Sequence, residues 1–387
     1  TLVQEATVNK LAAELGIDPT EIRLKNLIRE AETSLYYKGK KLGSSSLHRC
    51  IETGKSLIGW DAKFPRIDEG NKVRGVGMAV TMQGSGIANI DTASAEIRLN
   101  DDGFYTVLVG STDMGTGSDT ILLQMAADVL NADMNHFIIH AADTDVSPFD
   151  PGSYASSTTY VTGMAVTKAA EELRGKILEQ AASVLQVPVD QLELIGEECI
   201  DSASGKTVSI ATIAAAAVVG PDHRQLSAYA TFGSPVSPPP FVAGFAEVEV
   251  DKETGKVTLL DFVAVVDCGT VINPALARVQ TEGGIVQGIG MALFEDVQYD
   301  KKGNLQSNSF MTYKIPGRGD VGTIRVAFEE SYEPTGPFGA KSVGEVVINT
   351  PSPAIVAAIY NAVGVQITDL PVTPEKVFNG MQQKQKI

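Results

Sequence analysis

Two stretches of this sequence share one pattern, and a run of prolines lies between them. Residues 92–115, TASAEIRLNDDGFYTVLVGSTDMG, and residues 242–269, VAGFAEVEVDKETGKVTLLDFVAVVDCG, each read as strand, polar turn, strand and glycine-containing loop. Helix-like sequence follows both, DTILLQMAADVL in the first case and RVQTEGGIVQGIGMAL in the second. The cluster Pro235 to Pro240 breaks regular structure between them. A chain that repeats such a unit around a breaker is constrained to α+β, with mixed strands and helices in two lobes. The expected division is 1–70 as a helical and connecting segment, 71–234 as the first lobe and 235–387 as the second.

The remaining elements read in the same way. Val8, Leu11, Ala12 and Leu15 recur at helical spacing before Gly16, and Asp18-Pro19-Thr20-Glu21 is an N-cap, an N1 proline and a capping-box acid. A chain that opens inside a helix reads as one piece of a larger assembly. Asn100 to Gly103 is the turn of a hairpin. HFIIHAA is a strand, and a helix runs from about Met164 to Leu185. More strands are expected up to about Phe328. A last helix is expected with Ser352 as N-cap, Pro353 at N1 and Gly364 after its last turn.

Charge and composition exclude several functions. With 31 basic and 47 acidic side chains the net charge is −16, which opposes binding to a phosphate backbone and argues against nucleic acid as a partner. No run of about 18 apolar residues marks a membrane span. Cys50, Cys199 and Cys268 are isolated and odd in number, so neither a disulfide framework nor an iron–sulfur ligand set is visible, in keeping with a reducing cytoplasm.

Four segments carry potential chemistry. GSTDMGTGSDTILLQ takes a strand through a glycine loop into a helix N-terminus, where exposed N–H groups attract an anion; a tight turn is the simpler reading. DPGSYASSTTYVTG packs six Ser or Thr into the ten positions from Ser153 to Thr162, donors suited to a phosphate or a pterin edge, although such turns are common. Between Pro337 and Thr368 the only charged residues are Lys341 and Glu345. Burial of Glu345 in that apolar stretch would make a general base; a helix would instead let it pair with Lys341 four residues before. His136 and His140, with Asp143 and Asp145 following, superficially suggest metal ligands, but the strand-like context and the missing third ligand weaken that reading. The methionines and Trp60 read as ordinary packing residues.

Together, the glycine loop, the hydroxyl loop, VDCGTVINPALARVQTEGGIVQGIGMALFED and GAKSVGE resemble, in order and spacing, the molybdenum hydroxylases of the xanthine dehydrogenase and aldehyde oxidoreductase family. The resemblance covers almost the whole chain and points to that family's second molybdopterin-binding domain, a two-lobed arrangement of mixed sheets packed with helices. It implies cofactor contacts from Met114, Gly115, Thr116 and Gly117, with Thr116 where the family has Gln, and from Ala155, Ser156, Thr158, Gln280, Ser342, Val343 and Gly344. It implies Glu345 as the catalytic base. The cofactor implied is molybdopterin, plain or as the cytosine dinucleotide, its Mo carrying a terminal sulfido or selenido ligand. Implied partners are a subunit with the first molybdopterin domain, a [2Fe–2S] subunit and an FAD subunit. The arrangement is similar to split-subunit nicotinate dehydrogenases and implies an N-heteroaromatic substrate, nicotinate- or purine-like, hydroxylated with oxygen from water. A fragment of an aldehyde or xanthine dehydrogenase large subunit would read the same way. A non-catalytic scaffold subunit is the alternative that Thr116 keeps open.

Overall fold

A computed structural model describes residues 1–33, 39, 41–221 and 223–384. By contact density the chain divides into two compact units, and it passes between them four times. Unit 1 comprises 1–83, 239–332 and 343–387; unit 2 comprises 84–238 and 333–342. The crossing at Pro238/Pro239 lies inside the proline cluster. The cut differs from a consecutive division into lobes at 71 and 235, because residues 72–82 pair with a strand that starts at Phe241.

In unit 1 the chain opens with α1 (Leu2–Leu15), closed by Gly16 in the left-handed conformation, and α2 (Pro19–Asn26), where the Thr20 N–H donates to the Asp18 carboxylate at 2.6 Å. α3 (Leu47–Ile58), α4 (Trp60–Lys63), β1 (Ile67–Glu69) and β2 (Lys72–Met82) follow. Unit 2 then supplies β3 (Thr92–Leu99), β4 (Tyr105–Val109), α5 (Ser118–Leu130), β5 (Phe137–Ala141) and α6 (Gly163–Leu185). β6 (Leu192–Ile195), β7 (Glu198–Asp201), β8 (Thr207–Ser209), α7 (Ile210–Val219) and β9 (Ser227–Gly233) complete that passage. Back in unit 1 come β10 (Phe241–Asp251), β11 (Val257–Asp267), α8 (Pro274–Leu293), β12 (Thr323–Phe328), α9 (Pro351–Val363) and α10 (Pro374–Lys384).

The sheet of unit 1 runs β1-β2-β10-β11-β12, and period-two patterning gives it two apolar faces. Phe241, Ala243 and Phe245 pack with Cys50, Ile51 and Ile58 of α3, while Val242, Ala246, Val248 and Val250 join Ile285, Ile289, Ile355 and Ile359 of α8 and α9. Leu259 falls on the second face out of parity with Phe262 and Ala264. The register shift beside Glu247/Val248 accounts for that, since an extra residue in one strand flips the sides. Unit 2 carries the sheet β5-β4-β3-β9 with α6 against β3 and β9, and a small sheet β6-β7-β8.

Both patterned stretches form antiparallel hairpins, β3–β4 and β10–β11. Each is followed by a helix and a parallel strand, β5 beside β4 and β12 beside β11. Two local expectations need correction. Between α8 and β12 the chain forms only an isolated bridge, Tyr299 to Leu305, rather than further strands. Polar and glycine residues there have no apolar alternation to bury. α9 begins at Pro351 after Thr350, because a proline is acceptable at the first helical position; Ser352 lies inside the helix and donates to the Gly288 carbonyl at 3.3 Å. Residues 346–363 are apolar and long enough to cross a bilayer by length and composition, yet 72% of that window is buried, with α9 against β2 and β10.

Candidate active site

In unit 1, Glu345 follows Val343 and Gly344 at a turn just before α9. Val346 and Val347 are fully buried, which swings the adjoining carboxylate outward, and Glu345 is exposed. The expectation of a buried acid is therefore corrected: the apolar neighbours bury themselves, not the carboxylate. Residues 341–345 form no helix.

The loop around Glu345 is held by two amides. Gln83, just past β2, donates Nε2 to Glu345 Oε2 at 3.0 Å, and Gln280 on α8 donates Nε2 to the Gly344 carbonyl at 3.3 Å. Glycines on α8 permit the approach. A Cβ at Gly284 would stand 2.4 Å from Val347 Cγ2, and one at Gly288 would stand 2.6 Å from Pro351 Cγ. Gln280, Val343, Gly344 and Glu345 thus come together, with Gln83 as a member that sequence reading missed. An amide directly after the apolar run of β2 was the available signal.

In unit 2, β4 runs into the glycine loop and α5. Asp113 Oδ1 accepts from the N–H groups of Gly115 at 2.8 Å and Gly117 at 3.2 Å, and its Oδ2 accepts from Asp119 N–H at 3.4 Å. Burial pushes the Asp113 carboxyl up, but these N–H groups, with that of Thr116, bring it below the usual aspartate range. The donors expected to meet a ligand anion are thus already turned on the chain's own carboxylate. The tight-turn reading accounts for these N–H groups, and a second anion in the same nest would meet the Asp113 charge. Asp119 is pushed up by burial and by the neighbouring Asp113. Ser111 Oγ, Ser118 Oγ and Asp119 Oδ1 are buried here without a hydrogen-bond partner among the described residues.

The hydroxyl loop is the more open of the two. Ala155 and Ser156 are consecutive non-glycine residues at φ 51° and 56°, a conformation that costs about 1 kcal/mol or more each. A π-turn over Thr158–Thr162 leads into α6, and Ser157 gives this helical run no side-chain cap: its Oγ donates to the Gly152 carbonyl at 3.1 Å. Thr158 Oγ1 donates to Ser153 Oγ at 2.9 Å and keeps its acceptor lone pairs. Gly86 N–H donates to the Ala155 carbonyl at 2.9 Å. Beside it, Ser85 Oγ accepts from Ser342 N–H at 3.0 Å and donates to the Pro238 carbonyl at 2.6 Å, so Ser342 and Ala155 are tied to one short segment, 84–86. Ser85 was not singled out from the sequence.

Among the described residues, His136 and His140 are not brought together with further ligands. His136 Nε2 lies 3.1 Å from Glu197 Oε1 with its ring edge-on to Phe104, His140 is exposed, and no group of three ligating side chains occurs among the described residues.

With this geometry in view, the sequence profile of the molybdopterin cofactor-binding domain matches residues 53–322. The chain belongs to the molybdopterin cofactor-binding domain family. It is 35% identical over 383 residues to the putative xanthine dehydrogenase molybdenum-binding subunit of Escherichia coli strain K12, covering 97% of this chain and 51% of that protein. It is 34% identical over 385 residues to the probable hypoxanthine oxidase of the same strain, covering 97% and 40%. The crystal structure of quinoline 2-oxidoreductase from Pseudomonas putida 86 superimposes with a TM-score of 0.89 at 27% identity, over 99% of this chain and 52% of that one. The chain thus spans about half the length of these relatives, or less.

The family's cofactor fits the hydroxyl loop on geometric grounds. Successive left-handed residues, an uncapped helical start and hydroxyl groups suit a ligand rich in acceptors. The glycine loop fits less well through its backbone. Its remaining means of contact are side chains, Met114 exposed and Thr116 half-buried.

Proposed function

We propose that this chain is the molybdopterin-binding, carboxylate-bearing half of a molybdenum hydroxylase acting on an N-heteroaromatic substrate. The observation that carries the reading is Glu345: an exposed carboxylate, oriented by the Gln83 amide on a loop that Gln280 holds in place. When bound, molybdopterin supplies a metal centre able to take two electrons from a substrate carbon. Ala155, Ser156 and Thr158 hold the pterin and its phosphate through the hydroxyl loop, Met114 to Gly117 flank it, and Ser342, whose N–H and hydroxyl are spent on Ser85 and Gly84, fixes the segment 84–86 behind that loop. Glu345 accepts the proton given up by the oxygen that attacks the electron-poor carbon, an oxygen drawn from water. Gln83 keeps Oε2 oriented while that happens.

Relatives named for xanthine, hypoxanthine and quinoline support a nitrogen heterocycle as the substrate class. The cytosine dinucleotide form of the pterin and a sulfido or selenido terminal ligand belong to the same proposal. So do the partners: a subunit with the first molybdopterin domain, a [2Fe–2S] subunit and an FAD subunit to carry electrons away. Cys50, Cys199 and Cys268 are buried and scattered, which supports that exit. Phe310 at 79% exposed and Met311 at 82%, in the irregular stretch between α8 and β12, support a covering partner.

The test is turnover of Glu345→Gln in the natively purified complex, on hypoxanthine, nicotinate and quinoline, with Mo assayed in the same sample. Turnover is expected to fall at least about a thousandfold with Mo retained. Unchanged turnover would remove Glu345 from the chemistry and leave a scaffold role. Gln83→Leu is expected to lower kcat about ten- to a hundredfold, the worth of a hydrogen bond to a charged group, with KM little changed.

A further inference from the structure

A cavity of about 370 Å³ lies within unit 1, between α1, the segment 60–66, β2, the C-terminal half of α9 and the end of α10. Its lining on α9 starts at Val356, more than a turn past the Pro351 start of that helix, and includes neither Glu345 nor Gln83, Gln280 or Gly344. Its charged lining consists of Lys10, Arg66 and Lys384, with no acidic residue, in a chain whose net charge is −16. Arg66 donates to the Ala362 carbonyl at 3.1 Å, one N–H of its five, and among the described residues it has no carboxylate partner. Lys10 and Lys384 make neither a hydrogen bond nor an ion pair among the described residues, whereas many of this chain's other cations are paired with acids. The walls between these cations carry rings: Trp60 stacked on Phe64 with centroids 5.1 Å apart, and Tyr360.

The nearby strand edge narrows the choice of occupant. Along β2, Val76 N–H donates to Asn361 Oδ1, the Met78 carbonyl accepts from Asn9 Nδ2, and Val80 N–H donates to Glu5 Oε2. Those groups are what an added peptide strand would pair with, so a β-strand ligand finds them taken. Three cations with no acidic partner among the described residues, around an apolar, ring-lined hollow, call for a compact anion with a flat ring. We propose that this cavity is a binding site for a small ring-bearing anion, an aromatic carboxylate or a mononucleotide, separate from the Glu345 site.

Isothermal titration of the natively purified complex at low salt tests it, with benzoate, adenosine 5′-monophosphate and inorganic phosphate as probes. At least one ring-bearing probe is expected to bind more tightly than inorganic phosphate. The double variant Lys10→Ala/Arg66→Ala is expected to weaken that binding at least tenfold with turnover unchanged, and Lys10→Arg/Arg66→Lys to restore most of it. The variants sit on the surface, and an unchanged melting temperature shows they fold. Benzoate alone binding assigns a carboxylate head; the mononucleotide binding assigns a phosphate ester. Inorganic phosphate binding as tightly as both overturns the ring requirement and the proposal with it. Absence of binding, or binding that survives the double variant and so belongs to the Glu345 site, overturns it as well.

Discussion

At the scale of single residues, Asp113 decides what the glycine loop can do. Its carboxylate gathers the N–H groups of Gly115, Gly117 and Asp119, the role of a cap at the start of α5. Asp113→Ala is expected to cost about 1 kcal/mol in urea unfolding near neutral pH and to speed amide exchange at residues 115–119. The pH dependence has a definite sign. Because the native carboxyl lies below the ordinary aspartate value, the stabilisation is complete above about pH 4 and is lost as pH falls through the lowered native value. Wild type and variant should therefore converge in acid; a gap that stays constant to pH 2 would mean the charge is irrelevant. Cys199 makes a second case: burial pushes its thiol up to about 11, so alkylation at pH 8 should await unfolding, and prompt labelling of the native chain would contradict that. The sequence showed Asp113 as one more loop acid, because which groups an Asp carboxylate meets depends on the path of the turn. It showed Glu345 as isolated among apolar residues, but side-chain direction at a turn is set by how Val346 and Val347 pack, which composition does not reveal.

At the scale of elements, hairpins, helices and caps were largely readable, because each is set by neighbours in sequence: α1 ends at Gly16, and Asn100 to Gly103 turns β3 into β4. Sheet membership was not. β2 pairs with β10, more than 150 residues later, rather than with β3, and nothing local distinguishes the two partners. The close fit between β2 and α9 shows what enforces the choice. A Cβ on Gly77 would lie 2.2 Å from the Ala358 backbone nitrogen and 2.3 Å from the Ala354 carbonyl oxygen, both on a helix backbone that cannot swing aside. Gly77→Ala is expected to cost about 3 kcal/mol in urea unfolding, and a cost below about 1 would mean that strand and helix separate freely. Thr350 points the other way. Its Oγ1 is buried without a hydrogen-bond partner among the described residues, just before α9, so the isosteric Thr350→Val should raise the melting temperature or leave it unchanged; a loss above about 1 kcal/mol would reveal a partner for that hydroxyl.

At the scale of the whole molecule, the repeated pattern foretold two units of similar construction, a hairpin, a helix and a parallel strand in each. It did not foretell that unit 2 takes back a segment from far along the chain. Residues 333–342 return to it, and Glu333, Ala340, Lys341 and Ser342 are each at most 2% exposed. Tyr160 OH donates to Thr335 Oγ1 at 2.7 Å, and Ser342 bonds to both Ser85 and Gly84. Such a segment carries little apolar periodicity, so nothing in its own pattern marks where it folds. Its removal would open a polar-lined gap beneath α6, with Tyr160 and Ser85 deprived of partners. Residues 84–238 alone are therefore expected to unfold at a lower urea concentration, or to remain unfolded, and a synthetic peptide of residues 331–344 should raise the midpoint in a concentration-dependent way. A scrambled peptide should not. If the fragment unfolds at the same midpoint with and without the peptide, the returning segment merely lies on unit 2; a shift shows that it completes the unit and that Ser342 is fixed by the same folding event that shapes the hydroxyl loop.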